Sequence, residues 1–253
     1  MLLNPEAYDI KTFKQERKDG SEYGDSGPMF IGTAKNMPSV LIKQYYAMHA
    51  ANEFIGCRLG RVLGVNTPQA WLFSKHSPIN HCSFQFSVGI EYLEGIMSCP
   101  KSVSFDEIHV RETLRCFLLH IFLGEEDGWT TAIWNNKIYA YDFAATFCMD
   151  IKQERFIKVL EGKLKPSIFD DPERVKYGFG YSVKSGLRLI DKWSQVFPVR
   201  QEMVWEEFFN LRKKFLDTNL NMLTEELSEL YPKQVADLYD ELFIILREEL
   251  SKV

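Results

Sequence analysis

The sequence lacks several features that would point away from an ordinary globular protein. Its longest apolar runs, such as residues 242–246, are far too short to span a bilayer. The cysteines number 5, an odd count with no C-x-x-C pair, which argues against a disulfide framework and against a zinc site. The first 20 residues hold no extended apolar segment, so we expect no secretion signal. These absences favour a soluble protein of the reducing cytoplasm.

An excess of basic residues is also absent. Lys and Arg total 30 against 35 for Asp and Glu, which gives a net charge of −5. We therefore expect no nucleic-acid partner for this chain alone, although a local basic patch stays compatible with that charge. No Walker pattern and no full G-x-G-x-x-G is present. What is present, 253 residues with 45% hydrophobic and 14% aromatic side chains, suffices for one large domain or two lobes.

A glycine- and serine-rich stretch, residues 20–28, precedes the first apolar segment. It is typical of a flexible loop that enters a strand. Backbone N–H groups at Gly24, Ser26 and Gly27 are candidates for binding phosphate. A plain turn explains the same composition.

A lysine and a glutamate follow in two consecutive elements. Residues 39–43 form a predicted buried strand that ends at Lys43, and residues 45–63 form a predicted helix with Glu53 near its middle. Kinases use a lysine at this place to bind the α- and β-phosphates of ATP and pair it with a helix glutamate. The alternatives are a surface lysine and a solvated carboxylate.

Two further apolar stretches, residues 70–73 and 83–90, predict consecutive strands of an antiparallel sheet. The second strand runs into residues 91–95 and breaks at Gly95. We interpret residues 91–95 as a hinge whose backbone groups could bind adenine, and residues 96–104 as a crossover.

Two aspartates flank a predicted β-hairpin. Asp127 precedes its first strand, Asp142 follows its second, and Asn135-Asn136 forms a two-residue turn that tolerates positive φ. The hairpin brings the two carboxylates near one point. There one could orient a hydroxyl nucleophile and the other could hold Mg²⁺ on a nucleotide. An ordinary hairpin with solvated acids is the alternative.

The sequence predicts one helix before this hairpin and three after it. Ser104 and Glu107 form a capping box at the start of the helix that leads to Asp127. After residue 147 we expect irregular structure at 166–172 and 177–181. Three helices are then predicted, at 201–216, 219–230 and 232–250.

Together these segments resemble the HipA-like kinases, a bacterial branch near the phosphatidylinositol-3/4-kinase-like fold. The residues that carry the resemblance are Val40 to Lys43, Ala51 to Phe54 with the Leu-Gly-x-x-x-Pro ending at Pro68, residues 124–129, and Tyr141-Asp142. It covers roughly residues 20–150.

The resemblance implies a fold, a reaction and a set of residue roles. Lys43 would bind phosphate, the Glu91 carbonyl and Leu93 N–H would hold adenine, Asp127 would orient the acceptor hydroxyl, and Asp142 would bind Mg²⁺ or Mn²⁺. The implied fold is α+β and bilobal, with an antiparallel-sheet N-lobe at 1–94 and a mostly helical C-lobe at 95–253. The implied reaction is ATP-dependent phosphorylation of a protein Ser/Thr hydroxyl.

The chain departs from the family at three positions. Glu125 replaces an Asn, Trp129 replaces a His, and Ala132 or Thr131 stands where the family has an Asn as second metal ligand. The site would then use one metal or recruit Glu125 or Glu126. Two other functions stay open: a pseudokinase that binds nucleotide or a partner, and a lipid or small-molecule kinase. An antitoxin or another regulatory protein is an implied partner.

Overall fold

The computed structural model describes most of the chain. The residues that it describes are 2–13, 29–73, 85–95, 97–98, 106–124, 130–147, 172–194 and 200–253. Four predicted site residues, namely Gly24, Ser26, Gly27 and Asp127, lie outside the described residues.

The N-terminal part is built on a sheet of six strands within the described ranges. The strands are β1 (Leu2–Leu3), β2 (Asp9–Thr12), β3 (Met29–Thr33), β4 (Val40–Tyr46), β5 (Ala70–Phe73) and β6 (Gln85–Glu91). Their order across the sheet is β1-β5-β6-β4-β3-β2. All neighbours are antiparallel except β1 and β5, which are parallel. The first 13 residues therefore supply both edges of the sheet.

The two central strands, β4 and β6, set the geometry of the site. Val40 and Ile42 alternate along β4 as buried residues, and Lys43 is paired in register with Val88 of β6. A glycine is required at position 89, because a Cβ there would lie 2.6 Å from the ring of Phe73. Close packing between the strands and the residues beneath them therefore holds Lys43 at a defined place in the sheet.

The helices are numbered in chain order. They are α1 (Ala47–Leu63), α2 (Glu107–Leu123), α3 (Pro172–Ser194), α4 (Gln201–Asp217), α5 (Asn221–Ser228) and α6 (Lys233–Ser251). Helix α1 packs against β4, β5 and β6 on one side and against α4 and α5 on the other. It is thus the element that joins the sheet to the C-terminal helices.

The predicted hairpin is present as β8 (Thr131–Trp134) and β9 (Lys137–Ala140). Asn135 and Asn136 have φ values of 47° and 59°, the conformation of a type I′ turn. A short strand, β7 (Met97–Ser98), pairs with β8 and makes a three-stranded sheet. The expected crossover at 96–104 therefore contains a strand.

Two predictions about helices were wrong. The N-cap of α2 is Asp106, whose side chain accepts from the His109 N–H at 2.9 Å, so Ser104 does not cap this helix. The segment 177–181, predicted to be irregular because of its glycines, lies inside α3. Tertiary packing overrides glycine's low helix propensity in this helix, as at Gly186, where a Cβ would lie 2.5 Å from the Ile121 side chain.

The buried side chains form two clusters. The larger one joins α1, β5, β6 and the C-terminal helices, and it includes Phe54, Phe122, Phe143, Phe147 and Tyr239. The smaller one lies under the N-terminal sheet and includes Tyr8, Ile42 and Phe73. Because the larger cluster packs against most of α1, Asn52 and Glu53 on that helix are removed from water.

The predicted α+β fold, a sheet-rich part followed by a mostly helical part, is confirmed. The proposed boundary between residues 94 and 95 stays a prediction. Of the helices in the described ranges, none is long and apolar enough to cross a membrane.

Candidate functional site

The site is centred on the ammonium group of Lys43. Its Nζ lies 2.9 Å from Oδ1 of Asp142 and 3.6 Å from Oε1 of Glu53. The Lys43 side chain is only 10% exposed, which excludes the alternative of a surface lysine. A buried ammonium requires charged or polar neighbours, and the two carboxylates satisfy that requirement. The structure thus brings together three of the residues predicted from sequence.

Glu53 is completely buried on α1. One of its carboxylate oxygens, Oε2, accepts a hydrogen bond of 2.9 Å from the backbone N–H of Phe143, and the other faces Lys43. It therefore links β4 to the segment that follows β9. A solvated helix carboxylate, the alternative at this position, is excluded.

Asp142 lies just beyond the end of β9, in a left-handed backbone conformation with φ of 68°. Its side chain is 50% exposed, in contrast to that of Glu53. Although burial alone would raise the pKa of this carboxyl, the charge and the hydrogen bond of Lys43 lower it below its ordinary value. At neutral pH the site therefore presents a carboxylate to solvent.

The segment after Asp142, residues 142–147, forms a tight turn packed on α1; we call it the acidic turn. The ring of Phe143 lies against Gly56 so closely that a Cβ at Gly56 would be 2.4 Å from it. On its other side the ring stacks on His120, with centroids 4.7 Å apart and planes 20° apart. The glycine at position 56 is therefore needed for the acidic turn to approach the helix.

The predicted hinge lies at the end of β6, beside the hairpin. The Glu91 N–H donates to the Gln69 carbonyl at 2.7 Å, and Nε1 of Trp134 in β8 donates to the Glu94 carbonyl at 3.1 Å. Leu93 is buried. These contacts place the hairpin next to the hinge. The adenine-binding roles of Glu91 and Leu93 stay predictions.

A second link ties the hairpin to α2. Glu112 accepts from the Ile138 N–H at 2.9 Å and from Nδ2 of Asn66 at 3.2 Å. Asn66 Nδ2 also donates to the Ile138 carbonyl at 3.1 Å, and the Asn66 carbonyl accepts from the Ala140 N–H at 2.9 Å. These bonds determine where β9 ends and hence where Asp142 lies.

The donor set fits a Mg²⁺ ion held mainly through a nucleotide. Mg²⁺ in such sites is bound by one or two carboxylates together with phosphate oxygens and water. Asp142 supplies one carboxylate, whereas Ala132 is buried and offers no side-chain oxygen. Over the described ranges there is no group of three or more His, Cys, Asp or Glu residues that could hold a metal by themselves.

Sequence reasoning gave no role to three polar residues that support the site: Glu112, His120 and Asn52, the last of which lies in the stretch that carries the family resemblance. Each makes its contacts with segments distant in sequence; Asn52, for example, bonds to Ala144, 92 residues away. The adjacency of Asn52 and Glu53 on one helix was visible in the sequence. Nothing in the sequence indicated that both would be buried against the acidic turn.

Comparisons with known proteins give limited matches. No family model and no curated protein matches the chain. Among solved structures, the Helicobacter pylori proinflammatory kinase CtkA is 10% identical, with a TM-score of 0.48 over 96% of this chain and 94% of that chain. The Golgi casein kinase is 14% identical, with a TM-score of 0.47 over 91% of this chain and 68% of its own.

A third match is HipA of Shewanella oneidensis MR-1, in its toxin–antitoxin complex with HipB and operator DNA. It is 12% identical, with a TM-score of 0.38, and the match covers 96% of this chain and 63% of that chain. At these TM-scores the likeness in overall shape is limited. The functional inference therefore depends on the side chains of this chain's own site.

Proposed function

We propose that this chain is an ATP-dependent kinase of the HipA-like type that transfers the γ-phosphoryl group to a Ser or Thr hydroxyl of a protein. The observation that carries the proposal is the position of Lys43, whose ammonium lies between the buried Glu53 and the half-exposed Asp142. Kinases use this combination of a strand lysine, a helix glutamate and a metal-binding aspartate.

In this proposal Glu53 orients Lys43, and Lys43 binds the α- and β-phosphates. The glutamate is suited to that task because it is buried and is fixed by the Phe143 N–H. Asp142 would hold Mg²⁺, and the bound ion would neutralise charge on the phosphates. Its lowered pKa supports the role, since a hard cation requires an ionised oxygen ligand.

The adenine ring would bind at the hinge. Glu91 pairs with Val40 and Val88 pairs with Lys43, so the hinge lies three residues along the strand from the lysine. At the usual rise per residue that is about 10 Å. An extended nucleotide can bridge such a separation. The backbone of Gly24, Ser26 and Gly27 is proposed to cover the phosphates.

Asp127 is proposed to act on the acceptor. Its carboxylate would take the hydroxyl proton as the acceptor oxygen bonds to the γ-phosphorus and the bond to ADP breaks. The residue precedes β8, and Asp142 follows β9, to which β8 is paired. The pairing of β8 with β9 therefore supports a position for Asp127 on the same side of the molecule as Asp142.

A pseudokinase is the second candidate, and the observation that favours it is Ala132. This residue is buried on β8 and carries no oxygen where a second metal ligand would be expected. A protein with this site could bind nucleotide or a protein partner without transfer. A role in a toxin–antitoxin pair, with an antitoxin as partner, and a cytoplasmic location are further parts of the proposal that follow from the family resemblance.

The test combines titration calorimetry of ATP with Mg²⁺ and a radiolabel transfer assay. Asp142→Asn should weaken metal-dependent nucleotide binding, because it removes one anionic oxygen from the cation's shell. Asp127→Asn should leave nucleotide affinity nearly unchanged and lower transfer by roughly 10²–10⁴-fold, because its carboxylate acts only in the transition state.

The choice of metal ion and the combined binding and transfer results distinguish the kinase from the pseudokinase. Mn²⁺ should support activity at least as well as Mg²⁺, since Ala132 leaves the shell incomplete and Mn²⁺ tolerates less ideal geometry. Metal-dependent binding without transfer in the wild type would indicate the pseudokinase. Equal small effects of both variants on binding and transfer would contradict the proposed site.

A further inference from the structure

The acidic turn is bounded by two residues in an unfavourable backbone conformation. Asp142 and Phe147 have φ values of 68° and 71°, and neither is a glycine. A left-handed conformation is unfavourable for a non-glycine residue, less for aspartate than for phenylalanine, and persists where surrounding contacts enforce it. Within the residues described, those contacts come from α1, from the Leu123 carbonyl, which accepts from the Phe147 N–H at 2.5 Å, and from α6.

Asn52 and Glu53, two consecutive residues of α1, hold three backbone groups of the acidic turn. Glu53 accepts from the Phe143 N–H at 2.9 Å. The Asn52 side-chain amide, Nδ2, donates to the carbonyls of Ala144 and Thr146, both at 3.1 Å. Asn52 is 1% exposed, so these bonds form away from water. These bonds hold one backbone N–H group and two backbone carbonyl groups of the turn, and so they fix the path of the chain beyond Asp142.

The last helix completes this arrangement. The hydroxyl of Tyr239 on α6 donates to Oδ1 of Asn52, and the two residues are 187 positions apart in sequence. The Tyr239 ring also meets the ring of Phe147 edge to face, with centroids 5.5 Å apart. Tyr239 is fully buried, and burial raises the pKa of its hydroxyl, which therefore stays protonated and able to donate.

The Tyr239 hydroxyl determines which way the Asn52 amide faces. An asparagine amide is nearly symmetric in shape, and its orientation is set by the hydrogen bonds on its two sides. With a donor at Oδ1, the Asn52 Nδ2 group points to the two carbonyls of the acidic turn. Without that donor, Oδ1 would be buried without its partner, and the preference for this orientation would weaken.

We propose that Tyr239 and Asn52 are positioning residues for Asp142: a hydrogen-bonded relay from α6 through α1 holds the acidic turn so that the Asp142 carboxylate is presented beside Lys43. The metal-binding consequence rests on the proposed function, whereas the ordering of the turn does not. It follows that the position of the C-terminal helix and the affinity for a metal–nucleotide complex are coupled.

The test compares wild type with Tyr239→Phe, which removes one hydroxyl and keeps the ring against Phe147. Amide hydrogen exchange without nucleotide reads the order of residues 142–147 directly. We expect exchange of the Phe143 and Phe147 amides to accelerate by roughly tenfold, the effect of losing one buried hydrogen bond. Nucleotide affinity should fall by about the same factor with Mg²⁺ and stay unchanged without it.

Tyr8→Phe is the matched control. Tyr8 is also a buried tyrosine, but it packs against Phe73 in the smaller cluster under the sheet. The same chemical change there should leave both the exchange of the acidic turn and the metal-dependent affinity at wild-type values. The Tyr8 hydroxyl has no hydrogen-bond partner among the described residues, so an equal response to Tyr8→Phe would mean that loss of a buried tyrosine hydroxyl outside the relay loosens the turn as much, and would overturn the proposal.

A double-variant cycle with Asn52→Ala tests the relay itself. If Tyr239 acts through Asn52, the double variant should exchange no faster than Asn52→Ala alone, whereas independent sites would give additive effects. Additivity, or wild-type exchange in Tyr239→Phe, would overturn the inference. A wild type that binds no nucleotide but whose turn loosens in Tyr239→Phe would instead refute the proposed function and leave the positioning relay standing.

Discussion

Two buried glutamates, Glu53 and Glu207, show how similar ion pairs can have different uses. Glu53 is completely buried and Glu207 is 2% exposed. Each joins elements that are distant in sequence: Glu53 links α1 to the acidic turn, and Glu207 links α4 to α2. In both, a carboxylate removed from water is stabilised by cations and hydrogen-bond donors.

At Glu207 two arginines hold the one buried carboxylate, and Arg111 also pairs with the exposed Glu107 and Glu206. Arg115 contacts it through two nitrogens, at 2.6 and 3.0 Å, and Arg111 contacts it at 2.9 Å. Bidentate guanidinium–carboxylate pairs of this kind are geometrically specific and strong. Although burial would raise the pKa of Glu207, these hydrogen bonds lower it below its ordinary value. The cluster is therefore a structural connection between helices.

At Glu53 a single ammonium serves two carboxylates. Lys43 lies 3.6 Å from Glu53 and 2.9 Å from Asp142, and Asp142 is half exposed. The three side chains together carry one negative charge in excess, and it lies on the solvent side. Such a cluster is suited to receive a cation with its anionic ligand. The difference between the two clusters lies in how the buried carboxylate is held: Glu207 accepts three hydrogen bonds from two guanidinium groups, whereas Glu53 accepts one from a backbone N–H and lies 3.6 Å from a single ammonium.

The largest effect is expected from Lys43→Met. It leaves the Glu53 charge buried without its ammonium partner, so we expect the free energy of unfolding to fall by about 3–5 kcal/mol. Nucleotide binding should be lost in the same variant. Urea unfolding and calorimetry with ATP and Mg²⁺ measure the two quantities.

The double variant Lys43→Met with Glu53→Gln separates these effects. A neutral glutamine can still accept from the Phe143 N–H and carries no buried charge, so most of the stability should return. Nucleotide binding should not return. Recovery of binding together with stability would show that Lys43 has the same purely structural role as the arginines at Glu207.

A smaller effect, confined to stability, is expected from Glu207→Gln. The free energy of unfolding should fall by about 2 kcal/mol, because a neutral amide with one acceptor oxygen replaces the carboxylate that accepts from both arginines, while both arginines remain partly exposed to water. Nucleotide affinity and transfer should stay at wild-type levels. Glu53→Gln is the matched comparison, and a loss of affinity in Glu207→Gln similar to that in Glu53→Gln would remove the distinction between the clusters.

The smallest effect is a difference in acid sensitivity. The pKa values of Glu207 and Asp142 are both lowered from ordinary values of 4.5 and 3.8. A lowered folded-state pKa contributes stability above the unfolded-state pKa, and that stability is lost as the pH falls through the folded-state pKa. The contribution of Glu207 should be the larger one, because water screens the half-exposed Asp142 more strongly.

Unfolding in urea between about pH 6 and pH 3 measures this difference. The stability gap between wild type and Glu207→Gln should narrow as the pH falls, and the gap for Asp142→Asn should narrow less. Parallel stability curves for wild type and Glu207→Gln would contradict the pKa assignment.

Much of the local structure could be predicted from the sequence, because it depends on neighbouring residues. The hairpin follows from two asparagines between alternating strands, and both adopt positive φ as expected. Strand β4 and helix α1 follow from apolar periodicity. The two wrong predictions have different causes: Asp106 is the cap of α2 in place of Ser104, a local effect, whereas tertiary packing extends α3 through glycines that favour a break.

The sequence by itself determined the secondary structure around the site and the identity of its charged residues: a lysine on a strand, a glutamate on the next helix and an aspartate after a hairpin. Only the tertiary structure decided that Lys43 contacts Asp142, 99 residues away, and that Tyr239 on the last helix bonds to Asn52. Periodicity reports which face of an element is buried, but it carries no information about which distant side chains meet there. Those contacts depend on how the helices and sheet pack around α1.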